Sequence, residues 1–270
     1  MSTIVFDQPH SQRYMKAMAE YLKFVLPELR ASRRLETALD SGCGIGLFSD
    51  LLQRSGFQVK GFDGRHQNVE EARRRFPTIP FETINVESPE VTQLGHFDLV
   101  LCLGLLYHLE NPFRALRNLS ALAKEVIMLQ SVCAPSEQPL LLLRDECRGE
   151  DQGLNYVALY PTESALVKMC YRAGFPFVYR SLRLPEHEDF RTNHRRKQFR
   201  KVLLASRTPL DSRNFLLVAE PRNTLDPWNT AWGTVEHLFA QARWFAGKPW
   251  PDKVRLARRF LGKSDSRRAI

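Results

Sequence analysis

The sequence predicts an α/β protein built on a doubly wound, mostly parallel sheet. Three observations carry that expectation. Short apolar runs alternate with segments of helical periodicity between residues 35 and 132, the rhythm of strands joined by helical crossovers. Glycines cluster where the first apolar run gives way to the first helical pattern. The chain has 270 residues, 43% hydrophobic and 26% charged. That length and composition fit one large domain, or a domain with an appendage, whose core can enclose a ligand. They exclude collagen, low-complexity disorder and a disulfide miniprotein.

The elements follow in order. Tyr14, Met15, Met18, Tyr21, Leu22, Val25 and Leu26 recur at helical spacing across residues 11–26, between Pro9 and Pro27. Residues 1–34 are therefore read as an N-terminal helical lid. Strands are expected at 35–39, 57–62, 81–86, 97–103 and 126–132, with helices at 46–54, 68–76 and 111–122 between them. The crossovers should be right-handed. Residues 133–155 read as a long connector that holds the apolar run 140–143. Thr162 is the expected N-cap of a helix that runs to Ala173 and stops at Gly174. Residues 177–182, 199–205 and 215–219 are further strand-like runs, which closes the main domain at 35–221. Acids and then bases fill the intervening loop, including Arg191, Arg195, Arg196 and Lys197.

Residues 222–270 differ in character. All four tryptophans lie there, with ten Lys or Arg against four Asp or Glu. Two amphipathic helices are expected in this basic extension, at 235–245 and 252–261. The net charge of +9 points to nucleic acid, an anionic membrane surface or plain solubility. Docking of the extension on the main domain is preferred to peripheral membrane contact.

Residues 1–8 hold no basic stretch followed by an apolar run, and no apolar run approaches the roughly 18–20 residues of a membrane span. The five cysteines are scattered without a Cys-x-x-Cys pair, and the seven histidines show no ligand spacing. No metal is expected, and a cytoplasmic setting fits best. Cys43 and Cys102 read as small packing residues.

The chemistry begins at Leu39-Asp40-Ser41-Gly42-Cys43-Gly44-Ile45-Gly46. Glycines at a strand–helix junction allow a tight turn and close approach of a ligand to the main chain. Leu47 occupies the last place of the dinucleotide fingerprint, and the Gly-Lys-Ser/Thr of a phosphate loop is missing. A pyrophosphate belongs at a helix N-terminus, and Asp40 would repel it. Asp40 suits a cationic ligand such as a sulfonium. Asp63, followed by Gly64, ends the second strand 17 residues after Gly46, near the distance at which an acid meets a ribose diol. Asn85 and Val86 end the third strand, where a side-chain amide and a backbone N–H can read an adenine.

On these residues the chain resembles the class I S-adenosylmethionine-dependent methyltransferases. The run 39–46 matches that family's first motif, Asp63 its ribose-binding acid, and Phe97 through Leu109 its fourth-strand motif, with Leu103 and Gly104 at the turn. The resemblance spans roughly residues 35–207. It implies a Rossmann-like sheet of seven strands, one antiparallel, with S-adenosyl-L-methionine across the carboxyl ends of the strands. It also implies that the loop after the fourth strand, Gly104-Leu105-Leu106-Tyr107-His108, faces the donor methyl.

Methyl transfer from a sulfonium chiefly requires alignment of the nucleophile, and a base only when that nucleophile must lose a proton. His108 is the leading base, because a free imidazole titrates near neutrality. Tyr107 packs on the cofactor or orients the acceptor, and Tyr14 closes over the methionine end. There is no Asp/Asn-Pro-Pro-Tyr or Pro-Cys at the fourth strand, which disfavours methylation of adenine nitrogens and of cytosine carbon. The expected activity is methyl transfer to an oxygen or nitrogen of a small molecule, such as a sugar or natural product. A second reading rests on similarity of 104–108, Asn155-Tyr156 and 161–166 to the tRNA wobble-uridine carboxymethyl-transfer enzymes. Those use a carboxylated form of the same cofactor. A third is a non-catalytic cofactor-binding module that works through its basic tail.

Overall fold

A computed structural model describes residues 5–146, 153–191 and 199–221. The two helices expected in the basic extension, and Arg195, Arg196 and Lys197, lie outside the described residues.

The chain opens with a long helix, α1 (Pro9–Ser32). Pro9 sits in its first turn, where its missing N–H costs nothing. Met18, Tyr21, Leu22, Val25 and Leu29 form one buried stripe. The helix was expected to end near Pro27; it runs through that residue, because Leu26 and Leu29 on either side are both buried in the core. That burial offsets the one backbone hydrogen bond a proline forfeits.

The expected alternation of strands and helices follows: β1 (Thr37–Ser41), α2 (Leu47–Arg54), β2 (Gln58–Asp63), α3 (His66–Arg75), β3 (Phe81–Thr83), β4 (Phe97–Leu103), α4 (Pro112–Leu122) and β5 (Ala123–Cys133). β3 is shorter than its apolar run, so Asn85 and Val86 fall in the loop beyond it. The connector expected after β5 instead holds a two-stranded hairpin. β6 (Leu141–Asp145) pairs antiparallel with β7 (Val157–Pro161). α5 (Glu163–Arg172) follows, with the Thr162 hydroxyl accepting the Ala165 N–H at 3.1 Å. It stops before Gly174 at φ +103, a left-handed residue of the kind that ends helices. β8 (Phe177–Ser181), β9 (Phe199–Ser206) and β10 (Phe215–Leu217) complete the main sheet.

That sheet has the order β10-β8-β9-β5-β4-β1-β2-β3. It holds eight strands where seven were expected. β10 is the addition, an antiparallel edge strand on β8. Both β9 and β10 run against the other six, one more reversal than the resemblance implied. The strands alternate between two cores. Ala38, Leu99, Leu101, Val126 and Met128 face α1, α2 and α3, whereas Leu39, Val100, Cys102 and Ile127 face α4 and α5. Cys102 is thus a packing residue. Helices on both faces make the fold doubly wound.

The strand order reverses between β1 and β4, which opens a crevice at their carboxyl ends. The opposite end of the same pair is clasped. Asp98 accepts the backbone N–H groups of Glu36 and Thr37 and the Thr37 hydroxyl, all at 2.9 Å. Burial pushes this carboxyl up, but those donors outweigh it and hold its pKa at about 2. No described helix is long and apolar enough to cross a membrane.

Candidate active site

A cavity of about 510 Å³ occupies the crevice. At one end it meets the glycine loop. Gly42, Gly44 and Gly46 all take left-handed backbone, at φ +69, +53 and +84. The turn needs it: the N–H groups of both Gly42 and Cys43 donate to the Phe62 carbonyl at 2.9 Å, which folds the loop onto β2. At Gly46 a side chain would also collide, since a Cβ there would lie 2.9 Å from the ring of Phe81.

Asp63 closes this end. One carboxylate oxygen accepts the Gly44 N–H at 2.9 Å; the other accepts from the Arg65 N–H and the Asn68 amide. Burial raises its pKa, and these donors oppose the rise. Gly42, Cys43, Asp63, Gly64, Asn85, Val86, Leu103 and Gly104 all line the cavity. The Asn85 side-chain oxygen accepts the Glu87 N–H at 2.9 Å, which fixes the loop.

Three expected residues stand elsewhere. Gly44 and Gly46 shape the loop without forming part of the cavity wall. Asp40 was expected to face a cationic ligand, yet it lies beneath the loop, 2% exposed. It accepts a 2.6 Å hydrogen bond from Ser49 of α2. Burial lifts its pKa to about 6, with the Ser49 bond working against the rise. Its role here is to tie β1 to α2.

The other end of the cavity is assembled from distant parts of the chain. Tyr107 and His108 lie in a single 3-10 turn after β4. His108 contacts the Glu146 carboxylate through Nδ1, and the Gly153 N–H steadies the second oxygen of Glu146 at 2.9 Å. The hairpin β6–β7 delivers Glu146. The Nε2 of His108 has no protein partner among the described residues. Tyr107 accepts a 3.0 Å hydrogen bond from Arg200 of β9. Tyr14 of α1 donates to the Gln130 side-chain oxygen at 2.5 Å, and burial drives its pKa up. His10 and His187 bring their rings within 5.1 Å beside Glu188. The His187 Nδ1 already accepts the Asp189 N–H at 3.2 Å, so this trio is read as packing around the end of α1.

The sequence of residues 10–179 matches the family described as "Methyltransferase domain". The chain belongs to that family. Its curated relatives include the "Ubiquinone biosynthesis O-methyltransferase" of Albidiferax ferrireducens, 32% identical over 33% of this chain and 37% of that protein. The protein of the same name from Psychrobacter arcticus is 29% identical over 51% of this chain and 58% of that protein. The chain thus spans between about a third and three fifths of the length of these relatives. Among solved structures, the N-terminal domain of EvdMO1 with SAH bound has a TM-score of 0.58 at 23% identity, covering 74% of this chain and 84% of that one. Magnesium protoporphyrin IX methyltransferase from Synechocystis PCC 6803 with bound SAM has a TM-score of 0.50 at 21% identity, covering 74% and 85%. These likenesses show that the fold is shared.

In this methyltransferase domain, sequence reasoning missed Glu146, Gln130 and Arg200. Glu146 left no signal, because a hairpin formed at long range brings it to His108. The other two did leave one. Gln130 follows Val126 and Met128, and Arg200 precedes Val202 and Leu204, each at the two-residue period of a strand. Both are polar residues on a face that is otherwise buried against α1.

Proposed function

We propose that this protein is an S-adenosylmethionine-dependent methyltransferase that acts on an oxygen or nitrogen of a small molecule. The residues fit the cofactor. Asp63 would hold the ribose diol, the Asn85–Val86 loop would hold the base, and the left-handed turn at Gly42 would bring main chain against the methionine end. When bound, the cofactor supplies an electrophilic methyl group. Everything else falls to the chain: it aligns the acceptor with that methyl, excludes water and takes up a proton.

One observation carries the choice of acceptor. His108, held through Nδ1 by Glu146, forms part of the cavity wall, and its Nε2 has no partner among the described residues. A histidine fixed by a carboxylate is the arrangement that keeps an imidazole oriented as a base. Hydroxyl and protonated nitrogen acceptors need one. The relatives' names as O-methyltransferases and the neighbours' bound SAM and SAH support this reading over the tRNA-directed and non-catalytic ones.

The test has two parts. Calorimetry with S-adenosylhomocysteine is expected to detect binding that Asp63→Ala removes. A screen of phenols, sugars and amines with methyl-labelled cofactor is expected to find an acceptor whose turnover His108→Ala abolishes. Absence of binding to the unmodified chain overturns the cofactor assignment, and full turnover in His108→Ala overturns the base.

A further inference from the structure

The far end of the cavity holds a cation that the methyl-transfer chemistry does not use. Arg200 enters the wall from β9, 17% exposed at the side chain. Its Nε donates to Asp189 at 3.1 Å and its Nη1 to the Tyr107 hydroxyl at 3.0 Å. The Tyr14 ring centroid lies 4.5 Å from the guanidinium carbon, and that of Tyr107 5.5 Å. These contacts fix the plane of the group. Its Nη2 has no protein partner among the described residues. Nearby, Gln130 has its oxygen engaged by Tyr14, while its Nε2 is buried with no partner. A buried amide donor without an acceptor costs about 1–3 kcal/mol.

Of these two donors only the Arg200 guanidinium lines the cavity, and its open edge calls for an acceptor from outside the protein. A guanidinium fork with an open edge matches a carboxylate, which takes two parallel N–H bonds. The place in the fold indicates whose carboxylate it is. Asp63 ends β2, and β9 lies four strand positions away across β1, β4 and β5, about 19 Å at ~4.8 Å per strand. The nucleoside end and Arg200 therefore occupy opposite ends of the crevice. Tyr14, Tyr107 and Tyr160 line the cavity with Arg200 and His108, and the rings of Tyr107 and Tyr160 meet edge to face, a wall suited to a flat ring.

Resting on the cofactor reading above, we propose that Arg200, braced by Tyr14 and Tyr107, is a carboxylate-recognising subsite that selects aromatic acids as acceptors. The cofactor has an amino-acid carboxylate of its own, and the experiment separates the two sources.

The protein is saturated with S-adenosylhomocysteine and titrated by calorimetry with 4-hydroxybenzoate and with the uncharged 4-hydroxybenzamide. The acid is expected to bind about tenfold or more tightly than the amide, the scale of one charge-assisted pair. Arg200→Met is expected to erase that preference, and Arg200→Lys to keep part of it, since charge survives without the fork. Unchanged affinity for S-adenosylhomocysteine in both variants shows that they are folded. Equal binding of acid and amide, binding of neither, or a preference that persists in Arg200→Met overturns the proposal. Loss of S-adenosylhomocysteine affinity in Arg200→Met, with 5′-methylthioadenosine binding intact, assigns the subsite to the cofactor's carboxylate and overturns it too. If the unmodified protein binds neither nucleoside, the cofactor reading fails separately.

Discussion

His108 and Glu146 make the most direct claim at the scale of single residues. A positioned general base contributes about 10²–10⁴ in rate, so His108→Ala is expected to lower kcat on a hydroxyl acceptor by that range with KM nearly unchanged. Glu146→Gln keeps a hydrogen-bond acceptor but loses the charge, and a smaller loss is expected, read from the same steady-state assay. Asp40 makes a different prediction. Its carboxyl titrates at about 6 in the folded chain, raised from 3.8, so between those values the folded state holds more protons than the unfolded one. Stability from this group is therefore present at low pH and falls as pH rises from about 4 to 6, by on the order of 2–3 kcal/mol. Asp40→Asn keeps the size and a bond to Ser49. Urea midpoints measured at pH 4.5 and 7 are expected to show a flatter profile in the variant, with a gain at pH 7.

Among the elements, the clasp between β1 and β4 behaves in the opposite sense. Asp98 has a folded pKa of about 2, so its stabilisation is complete above about pH 4 and disappears as pH falls through 2. Asp98→Ala is expected to cost on the order of 2 kcal/mol at neutral pH, measured by urea unfolding. Thr162→Ala removes the cap of α5 and is expected to cost about 1 kcal/mol by the same method. The elements legible in the sequence were those with one strong period. The buried stripe of α1, the short apolar runs of β1 to β5 and the Thr162 cap all depend on local pattern. The hairpin β6–β7 was not legible. The five residues of β6 are all exposed, so no alternation marks them, and their pairing is set by the partner strand.

For the whole molecule, the ligand test becomes one of linkage. S-adenosylhomocysteine at a hundredfold excess over Kd is expected to stabilise the folded state by about 2.7 kcal/mol, seen as a rise in Tm. Every described residue of the cavity wall falls within residues 5–200, and residues 1–222 form one compact unit. A chain ending at Arg222 is expected to keep that rise; its loss would place part of the site in the basic extension. The two ends of the cavity differed in how readily they could be read. The end at Asp63 is built from contiguous loops after β1, β2 and β3, and its glycines and Asp63 stood out in order. The far end draws on α1, the β6–β7 hairpin and β9, which meet only when the chain is folded.

That division has a practical side for anyone who wishes to re-engineer the cavity. Grafting a different hairpin between residues 141 and 161 would reshape the cavity wall beside His108, and the graft would have to preserve the Gly153 carbonyl that accepts from Arg65 at 2.9 Å next to Asp63. The donor segment must keep an acid at position 146, because otherwise the new specificity would arrive with an unaimed histidine.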